Sequence, residues 1–139
     1  MNYGIKDQEQ LEAIEAILQE DLIDIGVGCT LLIDTAGNTI AKADNGNQNY
    51  DTYAFAALAA GNYASVDAMA KLINESEFSL LFHKGANTSI HFSKVNEDFL
   101  LVNIFGKDIS LGFVRLKVTE VVEKIKIICK SPQAEGATA

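Results

Sequence analysis

The stretch from Thr52 to Asn74 constrains this chain more than any other. Between Thr52 and Ile73 it carries two charges, Asp67 and Lys71, spaced i,i+4 on one helical face. Asp51 or Thr52 can cap such a helix, which at 1.5 Å per residue would run ~34 Å. Phe55, Leu58, Val66, Met69 and Ile73 make a stripe of large apolar side chains. Ala57, Ala60, Gly61, Ala64 and Ala68 make a second stripe of small ones. A helix apolar nearly all round is buried on more than one side. One side can lie on a sheet of the same chain. No other helix remains to cover the second, so the pattern favours self-association there over a crossing within the chain.

Two further helices flank the sequence. Asp7 can cap the first, with Gln10 three residues on in a capping-box arrangement. Leu11, Ile14, Leu18, Leu22 and Ile25 recur at helical spacing, acids fill the outer face, and Gly26 ends the run. The last helix runs from about Ser110 to Lys130, with Val118, Val121, Val122, Ile125 and Ile128 on one face. Its many β-branched residues mean that packing rather than propensity must hold it.

Five strand signals lie between. Val27 to Asp34 is apolar on both parities and reads as a central strand. Thr35-Ala36-Gly37-Asn38 is turn chemistry, and Thr39 to Ala43 returns as a short edge strand. Glu77 to His83 is an apolar candidate edge, followed by the turn Lys84-Gly85-Ala86-Asn87. Thr88 to Val95 alternates, and Phe99 to Phe105 is again central. The order is α-β-β-α-β-β-β-α with short β-β links, which makes an α+β sandwich on a mainly antiparallel sheet. Residues 1–130 are expected to form one domain and 131–139, small and polar, a disordered tail.

Composition narrows the function. The chain has 139 residues, 48% apolar and 22% charged, with a net charge of -8. Residues 1–77 hold 13 acids and three bases, whereas residues 78–139 hold six acids and eight bases. The difference reads as two solvated helix faces of opposite sign or as one surface tuned to a charged partner. Nucleic acid and anionic membranes need a basic patch, which this balance does not supply. No apolar run reaches the ~18 residues of a membrane span, and no signal-peptide pattern opens the chain. A cytoplasmic location follows as the expectation, with Cys29 and Cys129 as reduced, buried thiols.

The search for chemistry comes back empty. Neither a phosphate-binding glycine loop nor a dinucleotide fingerprint is present, and no H-E-x-x-H or C-x-x-C. The run from Asp44 to Asp51 has calcium-loop composition without the ligand spacing or terminal glutamate. His83 and His91 flank one hairpin turn: a three-residue turn would set them diagonally on one face, a two-residue turn on opposite faces. Arg115, the one arginine, sits at the start of the last helix, where a surface or ion-pair role is expected. The expectation is therefore no catalytic residue, no metal and no cofactor.

The segment from Ile25 to Asp34, followed by Ala36-Gly37-Asn38-Thr39-Ile40-Ala41, resembles the first hairpin of Roadblock/dynein light-chain domains. The alanine-rich helix from Tyr53, the Ile90-His91-Phe92 strand and the Leu111-Gly112-Phe113-Val114-Arg115 opening of the last helix are similar too. The likeness spans roughly residues 8–130. It implies five antiparallel strands in the order 2-1-5-4-3, with the first and last helices on one face and the middle helix on the other. It also implies pairing of two copies through the middle helix and third strand into one ten-stranded sheet. Members regulate or scaffold small Ras-like GTPases, or serve as dynein light chains. A bacterial stand-alone member activates a polarity GTPase as a dimer and donates no arginine finger. The expected interface is Tyr53, Ala57, Ala60, Gly61, Ala64, Ala68, Lys71, Phe78, Leu80 and Phe82. A structural adaptor light chain and a small-ligand sensor, the latter using the Asp44–Tyr50 loop, are the alternatives.

Overall fold

The computed structural model describes residues 4–47, 49–78 and 81–130. Helix α1 (Gln8–Leu18) begins at Asp7, whose carboxylate accepts from the backbone N–H of Gln10 at 2.9 Å. Gln10 answers with a different partner from the one a capping box uses. Its Oε1 accepts from the backbone of Lys6, and its Nε2 donates to the carbonyl of Ile128 at 3.0 Å. That second bond ties the first helix to the last.

The sequence pattern expects one regular helix as far as Ile25. Instead the chain widens into a π-helical turn over Gln19–Ile23, with Asp24 N–H donating to Gln19 O at 2.9 Å. The wider turn rotates the face, so Leu22 and Ile23 are both buried and Ile25 is half-exposed. Gly26 then takes a φ of +121°, as expected of the residue that ends the run.

Strands β1 (Cys29–Asp34), β2 (Thr39–Asp44), β3 (Leu81–Lys84), β4 (Thr88–Lys94) and β5 (Phe99–Gly106) form one antiparallel sheet in the order β2-β1-β5-β4-β3. The central strands are β1 and β5, the two runs that are apolar on both parities. Their side chains alternate between two cores. Leu32, Leu101 and Phe105 face α1 and α3 (Leu111–Lys130), whereas Leu31, Ile33, Val102 and Ile104 face α2 (Thr52–Leu72). The helix arrangement expected from the resemblance is the one observed.

Strand β3 is shorter than the expected Glu77 to His83. Asn74, at a φ of 66°, ends α2, and Glu75 N–H donates back to Ala70 O at 2.8 Å. The chain must then cross from the helix layer to the sheet edge, and Glu77 and Phe78 are used in that crossing rather than in the ladder. The hairpin that follows has a two-residue tip, because Gly85 N–H donates to Thr88 O at 2.9 Å. His83 and His91 consequently lie on opposite faces: His83 pairs with Ile90 on the α2 side, and His91 is buried on the α3 side. Asp21 closes the α1–α3 layer with an ion pair to Lys124 at 2.6 Å.

Candidate partner interface

Helix α2 starts at Asp51, whose carboxylate accepts from the N–H groups of Tyr53 and Ala54 at 3.0 and 3.1 Å. Alanines make its sheet-facing side. Ala56, Ala59, Ala60 and Ala70 are buried, with Phe55 and Tyr63 packed at the margin. The underlying sheet already presents Leu31, Ile33, Val102 and Ile104, so little depth is left for large helical side chains.

This packing decides which stripe lies on the sheet, a choice the sequence left open, and it corrects one expected interface residue. Leu58 is 74% exposed, Met69 55% and Ile73 66%, so these members of the large apolar stripe face away from the sheet. Ala60 is the opposite case. It is buried against the sheet and does not belong to the outer stripe.

The other expected interface residues divide clearly. Tyr53 is 78% exposed, and Ala57, Gly61, Ala64, Ala68 and Lys71 are also exposed. Phe78 is 42% exposed. Leu80 lies outside the described residues. Phe82 is half-buried, packs with the α1–α3 core and stacks on Phe105 with ring centroids 6.1 Å apart. Its ring therefore points away from the α2 side, because the two-residue hairpin tip sets its register opposite His91. Leu72, 83% exposed, extends the outer face beyond the residues singled out by sequence.

Among the exposed positions from Tyr53 to Leu72, Lys71 alone carries a charge, and it is held by Asp67 at 2.7 Å. This outer face is a mainly apolar ridge, broken by the neutral Asn62 and Ser65, that no other described element covers. Aqueous surfaces of single domains seldom leave so long an uncharged strip, and such strips mark association sites.

No chemistry gathers around the ridge among the described residues. A cavity of about 410 Å³ opens beside α2, lined by Tyr63, Asp67, Lys71, Glu77, Lys94 and Glu97 among others; both of its lysines are spent on the Asp67–Lys71 and Lys94–Glu97 pairs. It does not include the Asp44–Tyr50 loop, where Tyr50 instead packs against Phe55. Among the described residues no three His, Cys, Asp or Glu side chains form a metal-sized group, and no helix is long and apolar enough to cross a membrane. Cys29 and Cys129 are free and buried, and burial pushes both thiols up, away from the thiolate form.

The Roadblock/LC7 domain family matches residues 15–105. Among solved structures, Myxococcus xanthus MglB is 35% identical; the match covers 89% of this chain and 92% of that one, with a TM-score of 0.80. The gliding protein MglB from Thermus thermophilus is 26% identical, covering 94% and 98%, at a TM-score of 0.81. An MglB with a tetrameric arrangement is 26% identical, covering 94% and 97%, at 0.83.

Proposed function

The chain belongs to the Roadblock/LC7 domain family, and from that premise we propose that it is a non-enzymatic homodimeric regulator or scaffold that binds a small Ras-like GTPase. The observation that carries the reading is the outer face of α2. Its exposed positions hold alanines, Tyr53, Gly61, Leu58, Met69 and Leu72, with Asn62 and Ser65 as neutral polar residues and Lys71 as the one charge. A second copy of the same ridge satisfies such a surface, because a two-fold axis sets small residues against small residues and lets the helices approach closely. Strand β3, at the edge of the sheet, touches α2 through His83 and Asn62 at 3.2 Å and can extend the pairing.

The GTPase partner rests on the likeness to MglB, which extends over nine-tenths of the chain. In this reading the pair acts by shape: it holds the GTPase and positions the GTPase's own catalytic groups. Arg115 makes no ion pair among the described residues, and no step of hydrolysis is assigned to it.

The experiment is GTP hydrolysis by the Ras-like GTPase encoded nearest to this chain, measured with and without the protein, together with binding in both nucleotide states. Binding with faster hydrolysis is the expected result. Binding without a rate change would turn the reading to a structural adaptor, and no binding in either state would reject the GTPase partner.

A further inference from the structure

His91 ends a buried polar row that crosses three strands. Thr30 Oγ1 donates to Asn103 Oδ1 at 2.8 Å, and Asn103 stands opposite His91 in the β4–β5 register. Thr30 and Asn103 are fully buried and His91 is 5% exposed. The Nδ1 of His91 and the Nδ2 of Asn103 have no hydrogen-bond partner among the described residues. Such groups left unmade inside a protein are costly.

His91 also lines a cavity of about 220 Å³ at the margin of β4, together with Ser93, Lys94, Arg115, Thr119 and Glu77. Lys94 is committed to Glu97 at 2.8 Å, and the Thr119 hydroxyl donates to the carbonyl of Arg115 at 2.8 Å. The Arg115 guanidinium and the Ser93 hydroxyl are uncommitted among the described residues. Of the two cations lining this cavity, Arg115 is thus the one left for a ligand. Burial first, and then the charge of Arg115, pushes His91 down to about 4. It stands neutral at pH 7 and offers one ring N–H and one acceptor nitrogen.

We infer that this cavity binds a small carboxylate, with the Arg115 guanidinium gripping its two oxygens and Ser93 and His91 fixing the orientation. A planar guanidinium fork matches a carboxylate in two parallel hydrogen bonds. With Lys94 paired to Glu97, Arg115 is the uncommitted cation of the lining and Glu77 its one carboxylate, and a single guanidinium beside an acid suits a monoanion better than a doubly charged phosphate. The volume admits an acid of a few carbons, given that one water takes ~30 Å³ of liquid. Phe78, one of the expected interface residues, also lines this cavity.

The test is a long-range proton–nitrogen NMR titration of the histidine rings of the full chain at pH 7, with sodium acetate, sodium phosphate and sodium chloride at matched ionic strength. His83, on the opposite face of the hairpin, is the internal control. Acetate should move the His91 signals saturably, leave His83 in place, and raise the His91 pKa by about one unit or more. Arg115→Gln should weaken acetate at least about tenfold, the loss expected for a charged hydrogen-bond partner. Ser93→Ala, read the same way, serves as the second variant should the first disturb α3. No saturable movement with acetate, or equal movement in both variants, overturns the site. Phosphate binding as tight as acetate overturns the assignment to a singly charged carboxylate.

Discussion

Gly37, at the tip of the β1–β2 turn, lies so close to α2 that a Cβ on it would stand 2.8 Å from the Cα of Ala57. Its φ of +91° also belongs to the region that side chains avoid. Asp34 builds the turn, accepting from the backbone N–H groups of Ala36 and Asn38 at 3.0 and 2.8 Å. One glycine thus fixes the height at which the long helix rides over the sheet. Gly37→Ala should destabilise the fold by about 1–3 kcal/mol in urea denaturation, from backbone strain and from the clash with Ala57. Gly46→Ala, at a φ of +83° with open space around it, should cost less, because only the strain remains.

Two alanines four residues apart should behave oppositely. Ala60 is buried on the sheet, so Ala60→Arg forces a charge into the chain's own core and should unfold the protein. Ala64 is exposed, so Ala64→Glu should keep the fold, read by circular dichroism, and break self-association. Equal effects of the two substitutions on folding would show that the helix faces are assigned wrongly.

The buried Thr30–Asn103 bond predicts a coupled pair. Thr30→Val strands the Asn103 carbonyl and should cost about 1–3 kcal/mol. Adding Asn103→Leu removes the stranded group, so the double variant should lose less than the two single losses summed. Additive losses in a denaturation cycle would count against the bond.

Acid should loosen this fold before its carboxylates titrate. His91 has an ordinary value of 6.5, and burial with Arg115 nearby pushes it down to about 4. Between those two pH values the unfolded chain binds a proton that the native chain refuses. Stability therefore falls as pH drops through that window, by up to ~1.4 kcal/mol per pH unit. In His91→Gln the slope between pH 6.5 and 4 should flatten, which denaturant midpoints across that range would reveal.

The element order and the two central strands were legible because Val27 to Asp34 and Phe99 to Phe105 are largely apolar on both parities, a pattern that suits strands covered on both faces. The Asp7 cap and the Gly37 turn were legible as local chemistry. The orientation of α2 was not. Its two stripes are both apolar, and the choice is made by what the sheet already holds: Leu31, Ile33, Val102 and Ile104 leave room for alanines and turn Leu58 and Met69 outward. The π-helical turn at Gln19–Ile23 was equally hidden, since one added residue per turn leaves no mark in a run that stays apolar. The side of Phe82 depended on the length of the hairpin tip, which the sequence left open between two and three residues.

The central claim is that two copies meet on the outer ridge of α2, and the molar mass in solution tests it most directly. Size-exclusion chromatography with light scattering, at micromolar concentration, should give about twice the 15.0 kDa of one chain for the wild type and one chain's mass for Ala64→Glu. A stable wild-type monomer, or an Ala64→Glu variant that keeps the doubled mass, would contradict it.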